Sequence, residues 1–99
     1  MIKWEMPKLN LKGSNKQVKW AMDIIADIYS TANLNNKRAH DNQWPNSDKW
    51  EEAFDKIIIQ LEGSLSKIDK AAVIISCRDR FDPNRILNLA NKYVNFGKF

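Results

Sequence analysis

In 99 residues the sequence holds one cysteine, one histidine, three glycines and three prolines, and it has no long apolar run. Each scarcity excludes something. Cys77 alone cannot close a disulfide within the chain, and a small unstapled domain suits a reducing compartment, so a cytoplasmic setting is expected. His40 and Cys77 cannot between them supply a four-ligand zinc site, so no metal is expected. The sequence shows no Gly-x-Ser-x-Gly elbow, no phosphate-cradling glycine loop and no Cys-x-x-Cys, and no cofactor or catalytic residue is assigned. The longest apolar stretch, residues 71–75, is far too short to span a bilayer. Lys3, Glu5 and Pro7 interrupt what would be the apolar part of a secretory signal. The expectation is a non-enzymatic protein with no membrane partner.

What is present is ordinary globular material rich in indole. Apolar residues make up 43 % of the chain, enough for one modest core, and four of the aromatics are Trp. Charge runs basic, acidic, basic: residues 1–19 carry five Lys against Glu5, residues 20–62 are net acidic, and residues 63–99 are net basic. That layout argues against one uniformly positive face and suits either a self-complementary fold or two surfaces of opposite sign.

Periodicity assigns an all-α fold, a compact bundle of about four helices with an extended N-terminal arm, as a single domain. Residues 1–12 alternate loosely around Ile2, Trp4, Met6, Leu9 and Leu11, with Pro7 interrupting, and read as an arm or short edge strand. Ser14 and Gln17 form a capping box, and Val18, Ala21, Ile25, Ile28 and Ala32 then recur at helical steps, giving a helix over about 15–33. Residues 35–47, with four Asn, a Gln and Pro45, read as the longest loop, anchored by Trp44. A second helix covers 47–62, capped by Asn46 or Ser47 and stopped by Gly63. The third, 65–80, is apolar nearly all round at 71–75, where a short buried strand is the alternative; Val73 and Ile74 fall off its face. Asp82-Pro83 restarts the chain into a fourth helix over 83–95.

Two surfaces stand out as binding candidates. On the second helix Asp48, Glu51, Asp55 and Glu62, with Glu52 nearby, lie opposite Trp50 and Leu61, and Ile59 projects among them. An acidic rim around one apolar side chain fits a protein partner with a basic pocket. Lys12, Lys16 and Lys19 near the start of the first helix, and Arg78, Arg80 and Arg85 around 81–83, form a nucleic-acid candidate if they converge. Arg78 or Arg80 can alternatively pair with Asp79, Asp82 or a helix C-terminus. Trp20 sits at the border of the first helix's stripe, in a position to clamp the arm. His40 beside Asp41 and Cys77 beside Arg78 are weak material for catalysis, since adjacent side chains point apart and a lone thiol at a helix end is ordinarily structural.

Residues 11–21, Leu-Lys-Gly-Ser-Asn-Lys-Gln-Val-Lys-Trp-Ala, resemble a Gly-Ser-x-Lys-Gln-x-x-Trp-Ala segment of small proteins and accessory domains of bacteria and their phages. Residues 71–79, Ala-Ala-Val-Ile-Ile-Ser-Cys-Arg-Asp, resemble a later Ala-x-x-Trp-Ile-Asp-x-Arg stretch of that group, with Ile74 in place of the aromatic and Ser76-Cys77 in place of the polar pair. The group has no assigned activity, so no residue role is carried over. The resemblance implies a phage or mobile-element setting, in which small proteins bind and block host defence machinery such as CRISPR effectors. The expected partner is therefore a protein or nucleoprotein, with a nucleic-acid accessory role as the alternative.

Overall fold

A computed structural model describes residues 1–99 as an all-α bundle in the order α1 (Asn15–Asp41), α2 (Ser47–Leu65), α3 (Ala71–Ser76), a 3-10 turn (Arg78–Phe81) and α4 (Pro83–Phe96). α2 and α4 pack together, α3 lies along α1, and α1 also touches α2 and α4. The 27 residues of α1 span about 40 Å at 1.5 Å per residue, which accounts for the 44 Å long axis of the molecule.

α1 begins as its caps dictate. Ser14 Oγ accepts the Gln17 amide, and Gln17 Oε1 accepts the Ser14 amide, so two orphan donors are satisfied reciprocally. It does not stop near residue 33. The Asn-rich stretch continues as helix to Asp41, and the expected long loop shrinks to residues 42–46. Asn36 and Ala39 extend the buried stripe of Ile25, Ile28, Tyr29 and Ala32, and Asn33 and Asn36 hydrogen-bond the N-terminal arm. Tertiary partners thus override the poor helix propensity of Asn. Trp44 then packs edge-on against Trp50 at 5.5 Å, anchoring the short connection.

α2 starts at Ser47 with Asn46 in the cap position, in the left-handed region and without a side-chain cap bond. It runs through Gly63 to Leu65 because Leu65 is buried and gives the last turn a place to dock. Gly63 has ordinary negative φ and nothing within 4 Å of a would-be Cβ. Gly63→Ala is therefore expected to stabilise the protein by about 0.5–1 kcal/mol, read as a rise in Tm.

The expected helix over 65–80 is broken in two. Leu65 belongs to α2, and the backbone of Lys12 takes the next groups: Lys12 N donates to Asp69 O at 2.8 Å and Ala71 N donates to Lys12 O at 3.0 Å. A continuous helix would need those same groups. α3 is thus one and a half turns, helical at 71–76 rather than a strand, with Ala71 and Ile74 buried on α1. α4 matches its signals: Asp82 caps the Asn84 amide, Pro83 opens the helix, and Gly97 closes it in the left-handed region.

The arm forms no strand, yet it is closely held. Trp4 is 7 % exposed, edge-on to Phe54 at 6.1 Å, with Nε1 donating to Asp55 Oδ1 at 3.0 Å. Asn33 of α1 accepts from Trp4 N and donates to Trp4 O, both at 2.8 Å, so one amide side chain does the work of a partner strand. Ile2 N donates to Glu51, and Ile2 O accepts from Asn36. The clamp on the arm is α1–α2 with Trp4 as anchor. Trp20 is instead 49 % exposed, with the Arg78 guanidinium 5.8 Å over its ring.

Candidate functional site

The acidic stripe of α2 is mostly engaged within the molecule. Glu51 Oε1 accepts Ile2 N at 2.6 Å and its Oε2 lies 3.0 Å from His40 Nε2, while His40 Nδ1 faces the Asn36 carbonyl at 2.8 Å. Asp55 holds Trp4, Glu62 accepts the Tyr29 hydroxyl at 3.1 Å, and Glu52 accepts the Tyr93 hydroxyl at 2.6 Å. Asp48 alone of this group stays in the exposed first turn without such a bond. A helical wheel places these carboxylates on one side but is blind to the arm, α1 and α4 that reach them. Ile59 is 59 % exposed, and its depression is shared with Lys56 and Lys98 rather than with carboxylates. Glu51 and Asp55 are thus half-buried on the arm, while Asp48, Glu52 and Glu62 remain exposed on the side of α2 that carries Ile59.

One of these bonds makes stability depend on alkaline pH. Burial above all, then the charge and hydrogen bond of Glu62, push the Tyr29 phenol well above its ordinary value of about 10. The unfolded chain ionises Tyr29 at about pH 10 while the fold keeps it neutral. The stabilisation is thus complete below about pH 10 and is lost as pH rises above it. Tyr29→Phe is expected to flatten the fall in unfolding free energy between about pH 9 and 11 seen by urea titration.

The basic candidates are divided. Arg78 reaches α1, stacking on Trp20 and donating to Ile75 O at 2.9 Å, the helix C-terminal use of an arginine. It shares a depression with Asp27, Asp79 and Asp82, which oppose phosphate binding there. Lys12, Lys16 and Lys19 are exposed, and Lys19 pairs with Asp23 at 3.0 Å. Arg80 and Arg85 turn the other way. Phe81 lines both depressions and stands between them.

Arg80 and Arg85 border the concavity richest in apolar side chains, an open groove of about 370 Å³ between α2, α3 and α4. Ile57, Leu61, Phe81, Ile86 and Leu89 supply much of its floor and walls; Ile68, Val73 and Cys77 close one side. It exists because α3 is short and faces α1. Ala71 and Ile74 are buried there, leaving Val73 and Cys77 turned toward the gap between α2 and α4. No carboxylate lines the groove. Ligand pockets run to roughly 300–1,000 Å³, so this one suits a few side chains of a docking segment. Sequence reasoning missed it, though Val73 lying off the helix face was the available signal.

No family model, curated protein or solved structure matches the chain. A four-helix architecture by itself implies no activity. No helix is long and apolar enough to cross a membrane, and no group of three or more His, Cys, Asp or Glu side chains gathers as a metal site.

Proposed function

We propose that this is a small helical interaction protein that acts by docking a protein partner in the groove between α2, α3 and α4, not by turnover. The supporting observation is an apolar groove edged by Arg80 and Arg85 with no acidic lining residue. Apolar walls provide the driving force, and unopposed cations select a partner whose apolar anchor is flanked by carboxylates. The resemblance of residues 11–21 to phage and mobile-element proteins directs the search to host defence complexes, including CRISPR effectors, which such a protein would inhibit by occupancy.

The test is binding of the purified protein to candidate effector complexes. Arg80→Glu/Arg85→Glu changes two exposed side chains and should leave Tm unchanged, while affinity for the true partner falls by about tenfold or more. Equal binding by the variant would remove the groove from the interface.

A nucleic-acid role ranks second. The exposed Trp20–Arg78 stack favours it as a platform for a base, and the three aspartates beside Arg78 oppose it. It requires a gel shift at low salt that Trp20→Ala abolishes.

A further inference from the structure

The groove is not an isolated hollow. Gln60 of α2 lines both it and a second depression, formed with Lys56, Ile59, Tyr93, Lys98 and Phe99. The two follow one seam, because α2 and α4 pack against each other along it. Tyr93 and Phe99 stack at 4.9 Å, Lys56 Nζ lies 6.0 Å from the Tyr93 ring centre, and Phe96 in the last turn of α4 is 72 % exposed. The eleven steps from Arg85 to Phe96 give the seam about 17 Å of helix rise.

Charge along this seam is mainly positive. Arg80 and Arg85 flank one compartment, Lys56 and Lys98 the other, and no carboxylate lines either. Glu52 is a carboxylate beside the second compartment: exposed and charged, it accepts the Tyr93 hydroxyl at 2.6 Å. Elsewhere the surface mixes signs freely, as in the Lys19–Asp23 and Lys37–Asp41 pairs. An open apolar track flanked mainly by cations is complementary to an amphipathic partner with carboxylates beside its apolar stripe.

The backbone of that partner is constrained too. The fold contains no strand whose edge could pair with an extended peptide. A helix satisfies its own N–H and C=O groups, so it can lie on apolar walls with no strand edge to pair with. Resting on the groove reading above, we propose that one acidic amphipathic helix of the partner, about three to four turns long, lies along both compartments. Its apolar residues follow i, i+4, i+7 and i+11 spacing, and its carboxylates meet Arg80 and Arg85 at one end and Lys56 and Lys98 at the other.

The probe is a fluorescein-labelled peptide of about 14 residues with Leu at those spacings and Glu on the flanking positions, titrated with the full chain by anisotropy. Saturable binding is expected, with a gain of helical circular dichroism. Affinity should fall about tenfold or more for Arg80→Glu/Arg85→Glu and also for Lys56→Glu/Lys98→Glu. Lys16→Glu/Lys67→Glu, the same charge change at exposed sites off the seam, should have little effect. A peptide of equal composition with the Leu spacing scrambled should not bind. Loss with the arginine pair but not the lysine pair overturns the spanning helix and leaves the groove reading standing. Indifference to both pairs, or absence of binding, overturns the helix, and indifference of a true protein partner to the arginine pair overturns the groove reading as well. Equal binding of the scrambled peptide, or binding only to vesicles of phosphatidylserine and phosphatidylcholine, would likewise overturn it in favour of unspecific charge or a lipid surface.

Discussion

Trp4→Ala should remove about 3–5 kcal/mol of stability, a large part of the roughly 5–15 kcal/mol available to a domain of this kind. Trp4 is the anchor of an arm with no secondary structure of its own, yet its ring is buried against Phe54 and its indole N–H is held by Asp55. Truncation leaves a cavity between α1 and α2 and frees a half-buried carboxylate from its donor. Urea unfolding followed by circular dichroism should show the midpoint falling sharply. Trp4→Phe should recover most of the loss, since the packing is largely restored and only the N–H bond is missing. Trp20→Ala is the internal contrast: an exposed indole is expected to change stability by no more than about 0.5 kcal/mol. Equal effects at Trp4 and Trp20 would contradict this assignment of the arm's anchor.

Asn33→Ala should release the arm while leaving the bundle folded. One side chain bonds both the amide and the carbonyl of Trp4 at 2.8 Å, and its loss strands two half-buried backbone groups. Two such bonds are worth about 2–3 kcal/mol together, set against roughly 0.5 kcal/mol gained from the better helix propensity of Ala. Hydrogen exchange should show the Trp4 amide losing protection, and limited proteolysis should cut within residues 1–11 before the helices. Wild-type protection of that amide in the variant would mean that Trp4 packing alone positions the arm.

Both residues show where sequence reading works and where it stops. The Ser14–Gln17 box and the Asp82-Pro83 restart are contacts between residues two or three apart, and they appear in the structure as their spacing predicts. Asn36 carries the opposite signal locally. Four asparagines between 35 and 46 suggest a loop, and only the arm passing alongside makes helical asparagines favourable. The third helix fails for a related reason. Its apolar spacing matches a helix from Leu65 onward, but Leu65 completes α2 and the Lys12 backbone takes the groups at Asp69 and Ala71.

The candidate surfaces divide in the same way. Glu51, Asp55 and Glu62 do share one side of α2, as helical geometry requires. A wheel fixes direction about the helix's own axis and is silent about what stands in that direction. Trp4, Tyr29 and the Ile2 amide stand there, so these carboxylates also serve as hydrogen-bond acceptors that hold the arm and α1 to α2. Arg80 and Arg85 follow Arg78 closely in the chain but line the depression on the other side of Phe81, a separation that no spacing rule reports.

By itself the sequence determined the helical class, the starts of α1 and α4, and the absence of any recognisable catalytic motif, because these depend on residue type and on contacts within a turn or two. Tertiary structure alone decided the length of α1, the shortness of α3, the fate of the acidic stripe, and the existence of the groove. Each of those depends on which distant segment competes for a given backbone group or apolar face. The groove is the clearest case: it is the space left when α3 docks on α1 and leaves the α2–α4 seam uncovered.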